Sequence, residues 1–159
     1  IIELVTGDPE AAFWKGVEHG KDLYRTPIPK NADVGIFNAF PKDTEFVQAG
    51  LATVPMSGTK KILLKDGATI VICSASPEGL GWHSVLGPGT ALAGKPGPPK
   101  RRTILFSPGI NRWDAKMKHG DGYQFCKTWP EVLDELETNH GIGTKAVVFP
   151  CGALQYGGE

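Results

Sequence analysis

Four apolar runs dominate this chain, and each ends in a step of Pro, Gly or another small residue: "ADVGIFNAFP", "ATIVICSASPEG", "RRTILFSPG" and "TKAVVFPCG". Runs of this length suit buried strands. "TIVICSA" and "KAVVF" in particular read as strands covered on both faces, the pattern of a parallel sheet. Between the runs lie stretches with helical start and stop signals. Strands alternating with helices predict an α/β fold with a largely parallel or mixed sheet and helices on both faces. At 159 residues the chain is one domain by size and long enough to bury a sizeable core.

The opening "IIELVTG" reads as a short strand stopped by glycine. Asp8 then caps a helix over "PEAAFWKGVEHGKDLY", with Pro9 at its first position. Ala12, Trp14, Val17 and Lys21 sketch its inner face. "RTPIP" is extended, because a residue before proline is pushed out of the α region. After the "ADVGIFNAF" strand comes a helix over "DTEFVQAGLATVP", capped by Asp43 or Thr44. "KILLKDGATIVICSAS" divides into a short apolar segment, an Asp-Gly turn and a strand from Ala68 to Ala75. Pro77 to Lys100 is a long loop rich in Gly and Pro, of the kind that carries function or moves. "INRWDAKMKHG" is a short helix. "TWPEVLDELETNHG" is the clearest helix, with Thr128 as N-cap, Val132, Leu133 and Leu136 as its apolar residues, and Gly141 as terminator.

Lys plus Arg and Asp plus Glu are each 17, so the formal charge is zero. Nothing in that balance pulls the chain toward nucleic acid or an anionic membrane, and no apolar run reaches the length of a bilayer span. The 3 cysteines, Cys73, Cys126 and Cys151, form no C-x-x-C pair, which argues against a disulfide framework or zinc knuckle and for a reducing cytoplasm. Gly (21) and Pro (13) together exceed a fifth of the chain, which points to many shaped loops. "IIELVTGD" carries no initiator Met and no signal-peptide pattern, so a fragment of a longer protein is expected.

In sheets of this kind ligands bind beyond the carboxyl ends of the strands. Three segments fall at such ends: "NAFPKD", "SASPEGLGWH" and "SPGINRW". Each is also what an ordinary strand–helix turn looks like, and both readings stand. "GLGWHS" has Ser84 where a dinucleotide fingerprint needs its third glycine, and there is no phosphate loop of the glycine–lysine–hydroxyl type. No G-x-S-x-G elbow supports a serine hydrolase. The 4 histidines, His19, His83, His119 and His140, show no i, i+4 metal spacing. His119 and His140 precede glycines at helix ends, where a cation favours the dipole, and read as structural. His83, in the long loop, is the one candidate for chemistry. The residues alone supply a site scaffold without a catalytic set.

Three stretches, "ADVGIFNAFPKDTEFVQAG", "KDGATIVICSASPEGLGWH" and "TWPEVLDELETNHGIGTKAVVFPCGALQ", resemble the C-terminal domain of the nickel-dependent lactate racemase family. "GDPEAAFWKGVEHGKDLYRTPIPKNADVGI" is similar to the start of that domain, so the resemblance spans residues 1–159. It implies a parent enzyme of two domains. The cofactor there is a nickel-pincer nucleotide, tethered to a lysine with a histidine on the nickel, and two further histidines exchange the α proton. Those groups belong to an N-terminal domain that this chain does not contain, so the chain itself would hold no catalytic residue, metal or cofactor.

The resemblance also implies a lid that presents a Gln and a Lys one helical turn apart. The Gln is Gln48. The Lys position is Leu51, and "GPGTALAGKPGPPK" stands where the racemase carries a tryptophan-bearing helix; Trp113 and Trp129 lie elsewhere. These departures point to a hydroxy acid or related hydroxyl compound other than lactate. The residues expected to meet that substrate are Gln48, Asn38, Lys42 and His83. The partners expected are the chain's own N-terminal domain and a small-molecule substrate, with no nucleic acid and no membrane. A second reading is a non-catalytic domain of the same ancestry that binds a small ligand or a partner. Paired histidines and a cofactor lysine in the parent reading frame would separate the two.

Overall fold

The computed structural model describes residues 1–57, 63–83, 85–87, 90 and 97–157. Five strands form one sheet in the order β4-β3-β2-β1-β5, and every pairing is parallel. They are β1 (Ala32–Asn38), β2 (Leu64–Cys73), β3 (Thr103–Phe106), β4 (Gln124–Cys126) and β5 (Ala146–Phe149). The α/β expectation therefore holds, in its parallel form. β4 was not expected, because three residues are too few to show a period.

Alternation along each strand builds two cores. Phe37, Ile72, Leu105, Phe125 and Phe149 point to one face, where Phe46, Ala49, Ala52 and Ala115 cover them. Val34, Val71, Ile104 and Cys126 point to the other, under Val132. The first cover is a 3-10 helix (Phe46–Thr53) running into α2 (Val54–Ser57), with α3 (Arg112–His119) beside it; the second is α4 (Trp129–Asn139). α4 starts where predicted: Thr128 accepts from Glu131 N while the Glu131 side chain caps the Thr128 N–H, a complete capping box.

Several expectations are corrected. Residues 1–7 form no strand; a strand exists only by pairing, and Ile1, Ile2 and Leu4 lie exposed. α1 (Pro9–Tyr24) is capped by Asp8 as expected, but none of its residues is buried, so the face of Ala12, Trp14, Val17 and Lys21 packs on nothing in the sheet. Neither Asp43 nor Thr44 caps the next helix. Their carbonyls accept from Ser76 N (2.7 Å) and Glu78 N (3.1 Å), outside the helix, and the N-cap position is the extended Glu45. That helix is 3-10 over most of its length. Pro55 cannot donate to Leu51 O, and Val54 N takes that carbonyl instead.

The Asp66-Gly67 step is no turn. β2 runs through it, with Ala32 opposite Leu64 but Val34 opposite Thr69, so the extra residues bulge out and Gly67 takes φ +76°. β5 is not covered on both faces. It is an edge strand whose Ala146 and Val148 are exposed, because α4 lies over β3 and β4 at the other edge. The Pro77–Lys100 loop contains no helix or strand among its described residues; residues 84, 88–89 and 91–96, including most of "GPGTALAG", lie outside them. Among the described residues no helix is long and apolar enough to cross a membrane.

Candidate functional site

The strand order reverses at β1, with β2 on one side and β5 on the other. A crevice there is the usual ligand position in open parallel sheets. Here the chain's own turn after β5 reaches across it: Gly152 N donates to Asn38 O at 2.8 Å. The Asn38 side chain is also used locally, accepting from Phe40 N at 3.2 Å. Lys42 is exposed just beyond, with its backbone N–H on Ala39 O. The carboxyl ends of β2 and β3 carry three buried serines. Ser74 and Ser76 bond each other through their hydroxyls (2.8 Å), and Ser107 Oγ has no partner. Ser76 sits at φ +47°, a conformation that costs a non-glycine residue energy.

Glu45 organises the next layer. Its Oε1 accepts from Gln48 Nε2 at 2.8 Å, and its Oε2 accepts from Trp82 N at 2.9 Å. One carboxylate thus ties the start of the 3-10 helix to the loop after β2. Phe46 N and Val47 N strengthen the tie by donating to Gly79 O and Leu80 O. Gly81 has to be glycine for this: at φ +93°, a Cβ there would overlap the Glu45 side chain. The sequence carries no signal for Glu45, which lies in a helix start and reads as an ordinary first-turn acid.

Two cavities flank this tie. The first, about 500 Å³, is lined by Gln48, Leu51, Lys118, His119 and Tyr123 among others. The second, about 580 Å³, is lined by Leu80, Trp82, His83 and Thr90 among others, with Trp82 almost fully exposed at its edge. So Gln48 and His83, paired in the sequence reading, stand in neighbouring cavities joined through Glu45. Asn38 and Lys42 line neither.

The first cavity holds His119, which the sequence reading left as structural, with Lys118 and Tyr123, which it did not single out. Burial, aided by the Lys118 charge, brings the His119 imidazole down to about 4. Its ring packs against Phe46 (5.3 Å) and Tyr123 (5.0 Å), and its buried Nε2 has no partner. Burial also lowers Lys118 and raises Tyr123 from their ordinary values. A neutral imidazole with so low a pKa is a weak base, and among the described residues no carboxylate lines the cavity. What the arrangement offers is hydrogen-bonding groups beside an apolar wall, without a strong base. In the second cavity His83 Nδ1 is likewise buried without a partner. His140 is structural, its Nε2 at 2.8 Å from the buried Thr69 hydroxyl. Among the described residues no three His, Cys, Asp or Glu side chains converge as a metal site, and Cys73, Cys126 and Cys151 are free thiols.

No protein-family model and no curated protein matches the sequence. Among solved structures, the fold is similar to the lactate racemase apoprotein from Thermoanaerobacterium thermosaccharolyticum, with a TM-score of 0.60 at 18% identity. The likeness covers 92% of this chain and 40% of that one, so the chain spans well under half the racemase's length. The chain thus has a lactate-racemase-like fold.

Proposed function

We propose that this chain is the substrate-side domain, or lid, of a nickel-pincer-dependent racemase or epimerase acting on a 2-hydroxy acid or related hydroxyl compound other than lactate. The observation that carries the reading is the fold likeness to a lactate racemase over 92% of the chain. The sequence resemblance at Gln48 and its flanking motifs supports it independently. On this reading the chain is the C-terminal domain of a longer, cytoplasmic protein, and its N-terminal domain is its first partner.

On this reading the cofactor is held by the other domain, as the sequence resemblance implies, and proton or hydride exchange at the hydroxyl-bearing carbon is supplied there. The role of this chain is binding and orientation. Gln48 has one amide hydrogen engaged by Glu45 and its carbonyl oxygen free to meet a substrate group. Leu51, at the position of the racemase lysine, removes one charge-assisted bond to a carboxylate.

The test is an assay of the full-length parent, loaded with its nickel cofactor, for deuterium exchange at the α carbon of a panel of 2-hydroxy acids. Exchange with one or more of them, none of it by the isolated chain, is expected. A parent reading frame without paired histidines and a cofactor lysine would overturn the proposal.

A further inference from the structure

We infer that the cavity between the 3-10 helix and α3 is a binding site for a small organic carboxylate with an apolar end, held by the Lys118 ammonium. The inference concerns this chain alone and stands whether or not the parent is an isomerase.

Charge is the first argument. Among the described residues that line the cavity are two lysines, Lys100 and Lys118, and no Asp or Glu. The sequence from 84 to 100 contains no acid either. Among the described residues Lys118 makes no ion pair; the one bond of its Nζ is to Leu86 O at 2.8 Å. An ammonium has three donors. Two of them are left to water or to a ligand, and a partly buried ammonium with no counter-charge among the described residues attracts an anion more strongly than one in bulk water would. Neighbouring Lys116, by contrast, is paired with Asp121 at 2.8 Å on the outside of α3.

Shape and lining narrow the anion. Val47, Leu51, Leu86, Pro98 and Pro99 make one wall apolar, and about 500 Å³ suits a small metabolite. The remaining polar atoms are uncharged: the Gln48 amide, the Tyr123 phenol and the neutral His119 ring, whose Nε2 waits without a partner. One half-buried cation, with the exposed Lys100 at the rim and several neutral hydrogen-bonding groups, suits a monoanion. Inorganic phosphate carries more charge and no apolar part, so it fits the wall poorly.

The experiment is an NMR titration of the isotopically labelled chain with sodium butyrate, and separately with inorganic phosphate and the neutral butyramide. Butyrate is expected to shift the Gln48, Lys118, His119 and Tyr123 signals saturably, with butyramide much weaker. Lys118→Met should weaken butyrate about tenfold or more, the loss of a charged hydrogen bond. Lys118→Gln, checked by the same spectrum for an intact fold, guards against a variant that merely unfolds. Lys118→Arg should keep most of the affinity. No saturable shift up to about 0.1 M, equal binding by Lys118→Gln, or a response to phosphate in place of butyrate would each overturn the inference. None of these outcomes touches the assay of the full-length parent, so the two proposals fail separately.

Discussion

At the scale of single residues, Glu45 does the most with least warning. It holds Gln48 with one oxygen and the Trp82 N–H with the other, and it allows no side chain at residue 81. Gly81→Ala should therefore cost about 1–3 kcal/mol of stability, from the positive φ and the collision together. Urea unfolding would measure it, and a change within about 0.5 kcal/mol would mean Glu45 can swing aside freely. Gln48 tests the functional reading. Gln48→Ala should leave folding almost untouched, while kcat/KM of the full-length enzyme falls by about 1–3 kcal/mol of transition-state stabilisation. Leu51→Lys is its companion: it should shift preference toward small carboxylates if Leu51 stands where the racemase lysine does.

At the scale of elements, β5 and α4 show how position decides what a similar sequence means. Val148 and Phe149 are adjacent and both apolar, yet Val148 is 58% exposed and Phe149 1%. The Phe149 ring stacks on Phe37 at 5.1 Å. Phe149→Ala should cost about 3–5 kcal/mol, and Val148→Thr about 0.5 or less; thermal melts of the two variants side by side would separate them. α4 depends on its cap. Lys127 N, then Thr128 N, hold the Glu131 carboxylate below its ordinary 4.5. A carboxylate depressed in the fold stabilises it above that ordinary value, and the contribution fades as pH falls below 4.5 and through the lower folded value. Glu131→Gln should remove that part of the acid sensitivity, seen as a flatter stability profile in this window.

For the whole molecule, His119 is the larger acid switch. It is buried neutral, with its pKa brought from 6.5 to about 4. Its depressed value means that protons prefer the unfolded chain, so stability is full above 6.5, falls progressively below it, and stops falling near 4. His119→Phe should flatten that slope in urea titrations run at several pH values, and an unchanged slope would show that another group carries it.

Much of this architecture was legible from residue patterns. Apolar period, caps such as Asp8 and Thr128, and Pro or Gly at run ends are local signals, and the elements they mark are where they should be. Gln48 was singled out by motif alone, and the structure places it in the 3-10 helix at the first cavity. What sequence could not determine was everything set by a neighbour in space. β4 is held by pairing with β3, the bulge at Gly67 by the register against β1, and the 3-10 winding by Pro55 and the tie to the Gly79–Leu80 carbonyls. The cavity follows the same rule. Lys118 and His119 look like the dipole-favoured end of a short helix, and only packing against residues some seventy positions earlier makes them the wall of a cavity. Local propensity is written residue by residue, whereas burial and unmatched charge exist only once distant segments meet.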